Sequence, residues 1–368
     1  MPTRICHVTS LHGAFDARIF RLECKSLVKR YEVFLVAPNI ESQVVDGIHI
    51  VGISLPGTRK RLQRWLSLRR IIPVLNRIDA TVYHFHDPEL MSWGLRLKKK
   101  GKKVIFDSHE DVPASITEKD WIPAFFRKPI SFVYRKYEER KFRQYDALVS
   151  VTPSIVDRIK KRNPRTYQIT NYPALKEFKG NERTWQNNIC FTGGISAQWM
   201  HDIIIRSIEG LNVKYVLAGK GEGNYIESLK ALPGWSNVDY RGLVKPSEVF
   251  QIHKSSFAGL SLNDYVANVG YHLGSLGNTK LFEYMMSGIP VIATDFILWK
   301  EIFDKYECGI CVNPRDVDSI RQAIQYLHQN PEEAKRMGNN GRRAVEEAYN
   351  WSTQEVILFN MYDDVLKK

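Results

Sequence analysis

The sequence predicts an α/β chain built as two Rossmann-like, doubly wound domains facing a cleft. Short apolar runs of strand length alternate with longer basic or amphipathic stretches, and after a polar interval near the middle the alternation starts again. Length agrees, because 368 residues with 43% hydrophobic content hold enough apolar material for two cores.

The elements follow in order. Residues 5–10 (Ile-Cys-His-Val-Thr-Ser) read as a buried strand, and residues 18–30 place Ile19, Leu22, Leu27 and Val28 at helical spacing. A second strand spans residues 31–38, and further strands are expected at 48–53, 80–85, 103–106 and 147–151, which makes residues 1–175 the first domain. Residues 164–187 turn polar, with two prolines and no amphipathic period, and read as the interdomain link. Residues 188–350 then repeat the pattern, with strands expected at 188–192, 213–218, 237–241, 257–261 and 290–294. An amphipathic run at 353–366 closes the chain.

Charge is unevenly placed. The whole chain carries 53 Lys+Arg against 40 Asp+Glu, yet residues 1–175 alone net +15 and the remainder −2. A basic first half points to an anionic membrane surface, a phosphorylated acceptor or nucleic acid as partner. Nucleic acid is set aside, since no recognition-helix, RRM or zinc-finger pattern is present. With no 18-residue apolar run and no secretory signal, a cytoplasmic location follows, peripheral on the inner face of the membrane if the basic half meets lipid. Two segments mix cations with bulky apolar groups in the way lipid contact needs, residues 59–70 and 125–136, although Ile130, Val133 and Tyr137 also have core-packing spacing. Five cysteines give no disulfide framework, and Cys308 and Cys311 lack the second pair of a four-cysteine zinc site, so burial near a strand explains them.

The richest stretch is residues 276–294, LGNTKLFEYMMSGIPVIAT. Gly277 permits close backbone approach, Asn278 or Thr279 can cap a helix, and the helix start offers unpaired N–H groups to an anion. Glu283, further along, can accept two hydrogen bonds from a vicinal diol such as ribose. Gly288 stops the helix and Pro290 opens a strand.

This segment resembles the C-terminal half of GT-B glycosyltransferases, specifically the large retaining group of family four that includes many polysaccharide and glycolipid enzymes. The resemblance implies two Rossmann-like domains, a nucleotide-sugar donor in the second, an acceptor in the first, no cofactor, no required metal, and residues 351–368 as a helix crossing back to the first domain. Glu283 matches the glutamate that holds the donor ribose, whereas its usual partner eight positions earlier is replaced by Ser275. Gly193 and Gly194 resemble the turn facing the donor diphosphate, but the cations common just after it are missing, leaving Lys220 and Lys280 for the phosphates. Val244 resembles a residue whose backbone meets the base.

In the first domain His109, in Phe106-Asp-Ser-His-Glu-Asp111, matches a family histidine near the donor sugar, where an imidazole can hydrogen-bond a hydroxyl or carry positive charge; capping of the following turn is the plain alternative. His86 and Asp87, at the end of another strand, and Asp16 and Arg18, in the first loop, are the acceptor candidates; helix capping by Asp16 explains the last two equally well. The histidines and acids of residues 83–89 are not expected to hold a metal.

The function expected is transfer of a sugar, from a UDP-sugar in preference to a GDP-sugar, to an acceptor hydroxyl on a saccharide or lipid-linked saccharide. A nucleotide-sugar epimerase and a catalytically silent binding protein are the competing readings.

Overall fold

The computed structural model describes residues 2–56, 61–119, 121–175 and 184–367. The chain folds into two compact units, residues 1–171 with 352–368, and residues 172–351.

The first unit is built on an eight-stranded sheet: β1 (Arg4–Val8), β2 (Glu32–Pro38), β3 (Gln43–Val45), β4 (Ile48–Ile53), β5 (Val82–Phe85), β6 (Lys103–Ser108), β7 (Ala147–Ser150) and β8 (Thr166–Gln168). Their order is β3-β4-β2-β1-β5-β6-β7-β8, parallel throughout except for the β3–β4 edge pair. Strands such as β1 and β5 are buried on both faces, which is why they read as continuous apolar runs. The edge hairpin escaped the reading of the sequence. Asp46 and Gly47 both take positive φ, the two-residue turn that matches strand twist, and Asp-Gly was its available signal.

Two expectations for this unit need correction. Residues 18–30 do not form one α-helix, because Ala17–Cys24 is π-helical and only Lys25–Leu27 is α. Residues 164–171 are not link, since β8 extends the sheet beside β7 and Ile169 is buried.

The second unit has six parallel strands: β9 (Asn188–Thr192), β10 (Lys214–Ala218), β11 (Val238–Gly242), β12 (Ala258–Ser261), β13 (Val291–Thr294) and β14 (Gly309–Val312), in the order β11-β10-β9-β12-β13-β14. β14 places Cys311 within a strand and buries Cys308 beside it, and no described cysteine is bonded to another.

Each sheet has a central strand with its sequence successors on opposite sides: β1 lies between β2 and β5, and β9 between β10 and β12. Chain direction therefore reverses there, and loops from both sides diverge at the carboxyl ends to open a crevice.

Candidate functional site

At the β9 switch point the second unit assembles a cationic cradle. Thr192 ends β9 and the chain turns at Gly193, whose φ of +149° suits glycine and whose absent Cβ leaves room for Lys280; a methyl there would stand 2.2 Å from Lys280 Cε. Lys280 belongs to the helix Thr279–Met286, which Asn278 caps by accepting Lys280 N–H at 3.1 Å while its amide donates to Ser261 at the end of β12. The Lys280 ammonium lies 4.1 Å from the Trp199 ring centroid and 5.4 Å from that of Phe191. Burial lowers its pKa below the usual lysine value, partly opposed by Glu283. Among the described residues it makes no salt bridge.

The structure thus gathers Gly193, Asn278, Thr279 and Lys280 at one edge. Gly194 is exposed with open space beside it, and Lys220 is exposed on the neighbouring turn, where its carbonyl accepts Ile195 N–H. Glu283 is half-buried, and its carbonyl accepts from both the backbone and hydroxyl of Ser287. Val244 is half-buried at the entry to the helix Pro246–Ser255. Ser275 is buried; its hydroxyl accepts Gly277 N–H and its carbonyl accepts the Trp299 indole, so this position stabilises the loop before the helix.

In the first unit His109 follows β6 and is partly open, with 19% of its side chain exposed. Asp107 fixes it from below. Its Oδ2 accepts from Arg18 Nε at 2.7 Å and lies 3.3 Å from His109 Nε2 and 3.6 Å from His86 Nδ1. Burial alone would raise the Asp107 pKa, but Arg18, then the two histidines, hold it well below the usual carboxylate range.

Three of the acceptor candidates are buried in this structure. Arg18 is buried and spent internally, on Asp107, on Glu23 and on the carbonyl of Ile169 and side chain of Asn171. His86 is buried between His7 and His109. Asp87 is buried and ties down the loop after β1 by accepting from Thr9 Oγ1, Ser10 N and Leu11 N. All three are engaged in contacts within the first unit. Asp16 follows the capping alternative, accepting from Arg18 N and Ile19 N at 2.9 Å each while its other oxygen faces His12 at 3.4 Å. His12, whose ring stands 5.0 Å from that of His109, was missed. No motif flags it, since its proximity depends on β1 and β6 ending at the same edge.

The proposed lipid-facing segments also divide. Residues 57–60, including Arg59 and Lys60, lie outside the described residues. Arg64 is buried, bonded to Glu89 and to the carbonyls of Pro56 and Ser10, so it is a structural cation. On the helix Ala124–Phe142, by contrast, Phe125, Phe126, Ile130, Phe132, Val133 and Tyr137 are all exposed, so core packing does not explain them. No described helix is long and apolar enough to cross a membrane.

Two largely parallel sheets, each with its crevice at a switch point, define the GT-B class of fold. Residues 17–170 match the family model described as Glycosyltransferase Family 4, and residues 185–355 the model described as Glycosyl transferase-like. The chain belongs to the GT-B glycosyltransferases of the family-four type. It is 20% identical to the O-antigen chain mannosyltransferase C of Escherichia coli, with 99% of each chain covered. Among solved structures, the sucrose-phosphate synthase of Thermosynechococcus elongatus superposes with a TM-score of 0.79 at 13% identity, covering 99% of both chains. Anabaena HepE in complex with UDP and glucose superposes at 0.71 and 10% identity, covering 98% of this chain and 99% of that one.

Proposed function

We propose that this glycosyltransferase moves a hexose from a nucleoside diphosphate donor, UDP-linked in preference to GDP-linked, to a hydroxyl of a saccharide or lipid-linked saccharide, with retention and without a metal in the transfer step. The observation that carries this reading is Lys280: a half-buried ammonium backed by Trp199, beside the Gly193 turn and the capped helix start, is set to receive an anion. As the diphosphate departs it gains charge, and Lys280 with the helix N–H groups stabilises that charge without rearranging. Glu283 holds the ribose diol and the Val244 backbone meets the base. Lys220 and Gly194 line the outer side of the phosphates.

His109 meets the reacting sugar. Held by Asp107, its imidazole hydrogen-bonds a hydroxyl of the sugar as the bond to the diphosphate breaks. The acceptor proton passes to the departing phosphate oxygen, so no separate base is assigned. The exposed aromatic and cationic face of the helix Ala124–Phe142 is the membrane contact, which suits a lipid-linked acceptor.

The test is incubation of the full chain with UDP- and GDP-sugars and a set of saccharide acceptors, with products resolved by mass spectrometry and anomeric configuration by NMR. Transfer with the anomeric configuration kept supports the reading. Conversion of the donor sugar without transfer would make the protein an epimerase, and donor binding without turnover would make it a silent binder.

A further inference from the structure

Beneath His109 lies a second cluster that sugar transfer does not use. His7 comes from β1, Glu23 from the π-helical turn Ala17–Cys24, and His84 and His86 from β5; none is more than 1% exposed. Each can bring one ligand atom within 4.8 Å of the other three. The shorter separations are 2.9 Å between His7 Nδ1 and His86 Nε2, 3.6 Å between His7 Nδ1 and Glu23 Oε2, and 3.9 Å between His86 Nε2 and Glu23 Oε2. A tetrahedral zinc with arms of about 2.0–2.1 Å holds its ligand atoms roughly 3.3 Å apart.

Two further observations point to an ion. Neither Glu23 oxygen nor His84 Nε2 has a hydrogen-bond partner, and while Arg18 pairs with Oε1, Oε2 and His84 Nε2 are left buried at a cost in free energy unless something binds them. The outer nitrogens, moreover, are already oriented. The Tyr362 hydroxyl lies 2.9 Å from His84 Nδ1 and 3.1 Å from His7 Nε2, and His86 Nδ1 faces Asp107 and His109. Arg18 Nε stands 3.1 Å from Glu23 Oε1, leaving Oε2 for the centre of the cluster. Ligating histidines held from behind by hydroxyl or carboxylate, with a carboxylate fixed in turn, are what a zinc site requires. The π-helix supplies the last piece: its i→i+5 hydrogen bonding turns Arg18 and Glu23, five residues apart, toward the same interior.

We infer that His7, Glu23, His84 and His86 form a closed, tetrahedral, structural site for one zinc ion, which clamps β1, β5 and the π-helical turn together under His109. Four protein ligands leave no open position, so the ion takes no part in transfer, and full burial means that it enters during folding.

The experiment is elemental analysis of the full chain expressed with zinc supplied and freed of loose metal by gel filtration with a weak chelator. A matched sample is unfolded with chelator and refolded with Zn²⁺, with Co²⁺, or with neither. The inference expects about one zinc per chain, a melting temperature higher with zinc than without, and visible Co²⁺ absorption of tetrahedral strength. Glu23→Gln, close in shape to the parent, abolishes the tetrahedral cobalt spectrum, and Tyr362→Phe weakens metal retention about tenfold or more. Protein that carries no stoichiometric metal and melts identically in all three refolding conditions overturns the site and leaves a metal-free hydrogen-bonded cluster. A cobalt spectrum unchanged by Glu23→Gln overturns its location.

Discussion

His109 and Lys280 differ in how their surroundings prepare them. His109 rests on a buried carboxylate that is itself anchored by Arg18, so its ring is held in place before any sugar arrives. Replacing it with Ala is therefore expected to lower turnover by about a hundredfold while donor affinity stays near that of the parent. Steady-state kinetics beside donor titration checks this, and a collapse of donor affinity with turnover intact would displace His109 from the reacting sugar. Lys280 instead depends on space that Gly193 leaves. Gly193→Ala combines a positive-φ strain with a methyl driven into the lysine stem, so donor affinity is expected to fall as far as in Lys280→Met. Equal affinity in parent and Gly193→Ala would show that the lysine does not need that position. The nucleotide-facing candidates were legible because Asn278, Thr279, Lys280 and Glu283 sit within one short segment whose cap and helix have local signatures. Glu23 and His7 were not, because their surroundings come from β1 and β5, which pair 77 residues apart in the chain, and His12 was not, because it meets His109 only where β1 and β6 end at one edge.

Among elements, the loop after β1 is held by the His12–Asp16 pair as well as by Asp87. The hydrogen bond to Asp16 is the main reason that the His12 pKa is raised; Asp16, although burial opposes it, is lowered to about 2 by His12 and by the backbone at Ile19. The histidine's contribution is full below its ordinary pKa and disappears as pH rises through the raised one, whereas the carboxylate's is full above its ordinary pKa and disappears as pH falls toward 2. The melting-temperature difference between parent and His12→Asn is thus expected to peak between about pH 4 and 6.5, the ordinary carboxylate and imidazole values, and to shrink as pH rises above that window. A difference that stays flat across this range would remove the pair from loop stability. On the helix Ala124–Phe142, replacing Phe125, Phe126 and Phe132 with Ser is expected to cut sedimentation with anionic vesicles several-fold, and salt is expected to weaken binding of the parent. Sedimentation equal in both proteins would reject this helix as the contact. The sequence flagged this helix, yet its pattern could not separate lipid from core, since spacing of three and four serves both. For the strands the reading was closer, because parallel strands buried on both faces are apolar throughout; β3, β8 and β14 escaped it because they are three or four residues long and lie toward sheet edges.

At the scale of the whole molecule, the two switch points explain why chemistry-bearing residues that are scattered in sequence collect at two places. Strand order, rather than any single motif, brings the end of β1 beside that of β5 and the end of β9 beside that of β12. The double alternation of strands and helices was visible in the sequence, whereas strand order, which depends on pairing between distant segments, left no local signal. The central claim is that the second unit binds a nucleoside diphosphate on Lys280 and the capped helix, with Glu283 on the ribose. Calorimetric titration of the full chain with UDP and GDP, alongside Lys280→Met and Glu283→Ala, tests it most directly. The account predicts saturable binding of one nucleotide by the parent, weakened by about 1.5 to 3 kcal/mol in each variant because each loses a charge-assisted hydrogen bond. Failure of both nucleotides to bind the parent, or binding unchanged in both variants, would contradict it.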